Sequence, residues 1–182
     1  LSQLPAYIEE IYLQVIKKFP NQITNPWLLV DSGTQSLLVM SDNGLVSEYS
    51  VSTSKYGLGC EQDSFKTPLG AHYIAKKIGG DKQQNEIFVG REASGDIAEI
   101  SHEKQSSDLD LILTRILWLQ GLEENRNCGD GVDSFQRYIY IHGTHDEGLL
   151  GFPASHGCVR MSNANIMELF ERVAKKTFVY IC

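Results

Sequence analysis

Tyr140-Ile141-His142-Gly143-Thr144 is followed, sixteen positions after its histidine, by the cysteine of Ser155-His156-Gly157-Cys158-Val159-Arg160-Met161. These two stretches hold most of the chemistry legible in the chain. A thiol becomes a strong nucleophile when an imidazole takes its proton and neighbouring backbone N–H groups favour the anion. Cys158 is therefore the candidate nucleophile and His142 its candidate base. Gly157 leaves room for an acyl group beside the sulfur, and backbone N–H groups at Gly157 and Cys158 are the candidate oxyanion donors. Gly143 is the candidate carbonyl that fixes the imidazole tautomer. Ser155 and His156 belong to the nucleophile loop, and Tyr140 and Arg160 are candidate substrate-binding side chains. For Arg160 two roles stand side by side: a planar fork for a substrate carboxylate, or a salt bridge that organises the loop. Paired with His142, the thiol is expected to ionise well below its usual value of about 8.5.

At these residues the sequence resembles the YkuD-type L,D-transpeptidases. The likeness extends upstream through Val51-Ser52-Thr53-Ser54 and Thr67-Pro68-Leu69-Gly70, and it covers roughly residues 27–182. It implies a single, mainly β, sandwich-like catalytic domain with accessory α-helices, preceded by an accessory helical segment over residues 1–26. It also implies a cysteine acyltransferase acting on peptidoglycan stem peptides or muropeptides. Cys158 would attack the carbonyl of the L-centre third residue, usually diaminopimelate, and expel D-alanine. An amine resolves the thioester in a transpeptidase and water resolves it in an L,D-carboxypeptidase. A wall-binding module that keeps the fold without catalysis is a third reading, which the intact His142 and Cys158 oppose.

Composition is compatible with this. The chain has 182 residues, 42% hydrophobic and 21% charged, enough for one domain with a sizeable core. Its formal charge of −7 with no basic stripe argues against nucleic acid as a partner. No apolar run reaches the roughly 18 residues that span a bilayer, so no transmembrane segment is expected. The chain opens on Leu1, which leaves room for a trimmed leader and a place in the cell envelope. Against that, Cys60, Cys128 and Cys182 remain once Cys158 is set aside, and an odd remainder suits a reducing cytoplasm. His142, His145, His156 and Cys158 are also a zinc-type inventory, but their spacing is not that of a knuckle or helix site. No metal or cofactor is expected. His145, His72 and His102 are expected to be loop, surface or edge residues.

The remaining pattern is mostly of short β-runs. Trp27 to Ser54 contains three, with a hairpin signal at Asn43-Gly44. His72–Lys76, Ile87–Val89, Tyr138–Ile141 and Phe178–Ile181 are further candidates. Leu4, Ile8, Ile11, Val15 and Phe19 mark an amphipathic helix closed by Pro20-Asn21. Ser162 or Asn163 caps another, with Ile166, Leu169, Phe170 and Val173 inward. A third helix is expected over Leu109–Leu122, capped by Ser107-Asp108, with Ile112, Leu113, Ile116 and Leu117 as its apolar stripe. On that reading Ile100 to Asp133 is a substrate-shaping insertion. The loops Gln62–Lys66 and Glu123–Ser134 are candidate gates for an acceptor.

Overall fold

The computed structural model describes residues 4–105 and 109–182. Ten strands form one sheet: β1 Trp27–Asp31, β2 Ser36–Ser41, β3 Gly44–Ser52, β4 Gly70–Ile78, β5 Glu86–Val89, β6 Glu92–Ile97, β7 Ile112–Gly121, β8 Tyr140–Gly143, β9 Val159–Met161 and β10 Phe178–Ile181. Two α-helices, α1 Ala6–Lys18 and α2 Asn163–Arg172, accompany them among the described residues. The sheet order is β4-β10-β1-β2-β3-β9-β8-β7-β5-β6, and a further pairing of β4 with β7 closes the sheet on itself. The result is the mainly β, sandwich-like domain that the motifs imply.

Closure buries the strands on both faces. In β1, Leu28 and Val30 point into the central core with Val39, Leu117, Ile141 and α2 residues Ile166 and Leu169. Their neighbours Trp27 and Leu29 point outward under α1, packing with Ile8, Tyr12, Val15 and Phe178. Period-2 alternation is thereby masked, because both sets are apolar. The hairpin between β2 and β3 pairs Ser41 with Gly44, so its loop is Asp42-Asn43 and Gly44 opens the next strand.

The expected Leu109–Leu122 helix is instead β7, and the sequence-based cap Ser107-Asp108 lies outside the described residues. β7 is no insertion: it pairs with β4 on one edge, with β5 further along, and with β8 on the other. Its Leu117 and Leu119 face the central core, while Ile116 and Trp118 face a smaller outer cluster with Phe88 and Tyr140. A strand apolar on both faces satisfies the i, i+3, i+4 template by accident. Thr114 has φ 70°, and beside it the pairing with β8 shifts register between Leu113 and Ile116. β6 and β9 carry no expectation from sequence; β6 is polar and exposed, and β9 is only three residues long.

The other helices match their patterns. α1 buries Ile8, Tyr12 and Val15, and Phe19 closes it. Ser162 caps α2 by accepting the Asn165 N–H at 3.2 Å.

His72 corrects another expectation. It is fully buried, not an edge or surface residue, because β4 lies between β10 and β7. Nδ1 donates to Gly70 O at 2.9 Å and Nε2 accepts from Ser134 Oγ at 2.9 Å. Burial holds this imidazole neutral, with its pKa down at about 4.

Truncating Leu117, which faces the central core, and Trp118, which faces the outer cluster, separately to alanine tests the two-faced strand. Each is expected to lower the unfolding free energy in urea by about 2–5 kcal/mol. A helix carrying the expected stripe would penalise Leu117 and leave position 118 on its outer side.

Candidate active site

The site is built where β8 and β9 run parallel. Their register pairs Ile141 with Val159 and His142 with Arg160. Ile141, Val159 and Met161 point into the central core. By alternation Tyr140, His142, Cys158 and Arg160 share the opposite face, and Tyr140 and Cys158 both join the outer cluster there. The two motifs are thus side by side on one surface.

The loop before Cys158 is fixed by two hydroxyl side chains, Ser155 and Thr67. Ser155 Oγ donates to Cys158 O at 2.6 Å and accepts from Gly157 N at 3.2 Å. Thr67 Oγ1 donates to Gly157 O at 2.9 Å and accepts from Ser54 N at 3.0 Å, so the Thr-Pro turn is a strut for the nucleophile loop. Gly157 has φ 126°, and a Cβ there would meet Ile139 Cδ1 and Lys66 O at 3.4 Å. These are ordinary contact distances, so it is the positive φ that calls for glycine here. The Gly157 N–H is already taken by Ser155, so it is not free for an oxyanion in this state.

Cys158 is partly exposed in a cleft of about 320 Å³, with Phe65, Asp110, Arg137, Tyr138, Tyr140 and His156 among its walls. Its thiol donates to Tyr138 O at 3.4 Å, and Sγ accepts the Tyr140 N–H at 3.3 Å. Burial pushes the thiol up to about 12; the Tyr140 N–H and the Arg160 and Arg137 charges pull the other way without overcoming it. His142 is buried, with Nδ1 2.7 Å from Gly143 O. A carbonyl only accepts, so the proton is on Nδ1 and Nε2 carries the lone pair. Burial lowers this imidazole to about 4. The pair is therefore thiol and neutral imidazole, where the motif suggests an ionised thiol. Among the described residues no hydrogen bond joins the two side chains.

Arg160 is buried. It donates to Asp110 Oδ1 at 2.5 Å and lies 3.7 Å from Asp146 Oδ2. Of its two expected roles the salt bridge is the one present. Asp110 Oδ2 is also 3.1 Å from His156 Nδ1, so one carboxylate joins strand β9 to the nucleophile loop. The Arg160 charge, opposing burial, keeps the Asp110 carboxyl below its ordinary range. His145 lies in the loop after β8, as expected, but is buried there 3.3 Å from Asp146. Sequence reasoning missed Asp110, which sits in the misread helix, together with Tyr138 and Arg137. A lone Asp beside apolar residues gives no signal by itself.

The two candidate gating loops touch: Gln62 N donates to Gly131 O at 2.7 Å. The second is pinned through Asn127, whose side chain binds Leu69 O and Ala71 O. Glu123 adds bonds to Ala71 N and Lys18 of α1.

The closed β-fold is shared with L,D-transpeptidases of known structure. L,D-transpeptidase 3 from Mycobacterium tuberculosis, solved with a faropenem-derived adduct, superposes with a TM-score of 0.51 at 14% identity, over 86% of this chain and 59% of that one. An Enterococcus faecium L,D-transpeptidase gives 0.51 at 15% identity, over 88% and 50%. At such identities the likeness is one of fold, and this chain spans well under two thirds of those proteins. The family model for the L,D-transpeptidase catalytic domain, YkuD, matches residues 25–181, and the chain belongs to that family. YqjB of Bacillus subtilis (strain 168), which carries a provisional L,D-transpeptidase assignment, is 26% identical over 163 residues, covering 86% of this chain and 71% of YqjB.

Two pH effects follow. His142 and His72 have folded pKa values below the unfolded 6.5, so their contribution to stability is complete above about pH 6.5. It is lost as pH falls toward 4. The urea midpoint should drop across that window. Alkylation of Cys158 by iodoacetamide, followed by peptide mass mapping, should keep rising with pH and show no plateau below about pH 10. A plateau near pH 7 would indicate a preformed thiolate.

Proposed function

We propose that this domain is a cysteine acyltransferase of peptidoglycan stem peptides, with residues 27–182 as the catalytic unit and 1–26 as an accessory segment. The observation that carries the reading is Cys158 in an open cleft, on the same sheet face as a buried His142 whose free nitrogen is Nε2. Family membership supports the reaction type. No cofactor enters it.

The stem's L-centre third residue, diaminopimelate in the usual case, presents its carbonyl to the sulfur. The Cys158 side chain turns from Tyr138 O toward the imidazole, and the thiol proton passes to Nε2 as the S–C bond forms. A neutral pair suits this order, because charge is created only as the substrate excludes water. Collapse breaks the C–N bond, and the departing D-alanine amine takes the proton from His142. The thioester is then attacked by an amine, which His142 deprotonates, and the thiol is regenerated. Attack by water in that second half gives the L,D-carboxypeptidase outcome.

Incubation with a disaccharide-tetrapeptide, read by mass, separates the outcomes: cross-linked dimer for an amine acceptor, tripeptide for water. Cys158→Ala should abolish both while leaving the urea midpoint near that of the starting protein. Substantial turnover in that variant removes Cys158 from the mechanism. A carbapenem should add one equivalent of mass, mapped to Ser155–Met161. An adduct on Cys60, Cys128 or Cys182 contradicts the nucleophile assignment. Failure of both turnover and labelling would favour a binding module.

A further inference from the structure

The cleft holds a cation that the reaction as written leaves unused. Arg137 lines it together with Cys158, and it also lines a smaller recess on the far side of Phe65 and His156. It is brought there by a turn that Asp133 builds: its Oδ1 accepts from Phe135 N at 2.9 Å and from Gln136 N at 3.0 Å.

The Arg137 guanidinium is half-buried, and its acceptors are all neutral oxygens. Nη1 donates to Gly59 O at 3.3 Å, and Nη2 to Ser64 Oγ at 3.3 Å and Lys66 O at 2.7 Å. A guanidinium has five N–H donors. Nε and one Nη1 hydrogen therefore have no acceptor among the described residues; Glu61 and Asp63 act on the guanidinium electrostatically, but neither is within ion-pair distance of it. The other cations near the nucleophile are occupied. Arg160 is buried against Asp110. Arg91 lies over the rings of Trp118 and Tyr138 and bonds the Tyr140 hydroxyl. Asp110, the acidic wall residue, is already engaged by Arg160 and His156. The unspent charge of the cleft is thus positive, in a chain whose formal charge is −7. A partly desolvated guanidinium with no carboxylate in contact attracts an anion more strongly than a solvated one.

We propose that Arg137 is a carboxylate anchor in the Cys158 cleft, and that the group it takes is the free α-carboxylate ending the donor peptide, one residue beyond the bond attacked. The identity of that carboxylate rests on the acyl-transfer reading above. The anchor itself does not. Arg137 is a binding residue and takes no part in proton transfer.

Two measurements on the full chain separate these layers. The first is alkylation of Cys158 by anionic iodoacetate against neutral iodoacetamide at one pH, with Cys60, Cys128 and Cys182 as internal references. Arg137→Gln should lower the iodoacetate-to-iodoacetamide ratio at Cys158 roughly tenfold or more, Arg137→Lys should lower it less, and Arg91→Gln should leave it near the starting value. The second is kinetics on a tetrapeptide stem with a free C-terminal carboxylate against its C-terminal amide. The starting protein should prefer the acid through KM. Arg137→Gln should erase that preference by raising KM for the acid, with kcat little changed. A merely structural role would slow both probes and both peptides equally, leaving the ratios unmoved, and that result overturns the anchor. So does a collapse of the ratio in Arg91→Gln alone. If the alkylation ratio falls as expected but the starting protein cleaves neither peptide, the anchor stands and the assigned reaction fails.

Discussion

Parallel pairing of β8 with β9 is the constraint on which the site depends. Two parallel neighbours cannot be joined by a tight turn; the chain must leave one end of the sheet and return to the other. Here that return is segment 144–158, and Cys158, the candidate nucleophile, is its last residue. The spacing between His142 and Cys158 is therefore the length of a crossover, and the register sets the chemistry. It pairs His142 with Arg160 and leaves Cys158 beside Tyr140, whose N–H meets the sulfur. Sliding β9 by one residue would turn Cys158 and Arg160 into the central core and Val159 out of it. The apolar inner residues Val159 and Met161 thus hold the site in register from behind.

A second layer of control is electrostatic. Arg160 cannot reach solvent, so it needs a counterion, and Asp110 supplies one from the segment just ahead of β7. The same carboxylate holds His156, which packs on Tyr56 and Phe65 at the mouth of the cleft. Removing Asp110 would leave a buried guanidinium whose nearest carboxylate among the described residues is Asp146 at 3.7 Å, an arrangement costly in a low-dielectric setting. The cleft wall and the nucleophile strand are therefore coupled through one side chain.

Much of this was legible from residues alone, and the reasons differ by element. The hairpin near Asn43, the capped helix after Ser162 and the strand Phe178–Ile181 announce themselves through local chemistry that tertiary contacts do not override. The two motifs mark Cys158 and His142 because their residue types are rare in combination. β7 was illegible because closure of the sheet makes both its faces apolar, so neither period survives. His72 was misjudged because its burial comes from partners on strands far away in sequence. Asp110 and Arg137 are single charges whose meaning lies in what they face. The ionisation state of the thiol was misjudged for the same reason: the motif names the partners, while burial decides which of them holds the proton.

Protonation of the Cys158 thiol also governs how the sulfur meets oxidants. Peroxides attack the thiolate far faster than the thiol, and sulfenic acid forms where thiolate is plentiful and solvent can reach it. A sulfur held protonated against Tyr138 O, with its pKa near 12, offers little of the vulnerable form while the cleft is empty. The same contact with Tyr138 O that keeps the proton on the sulfur thus also shelters Cys158 from oxidation.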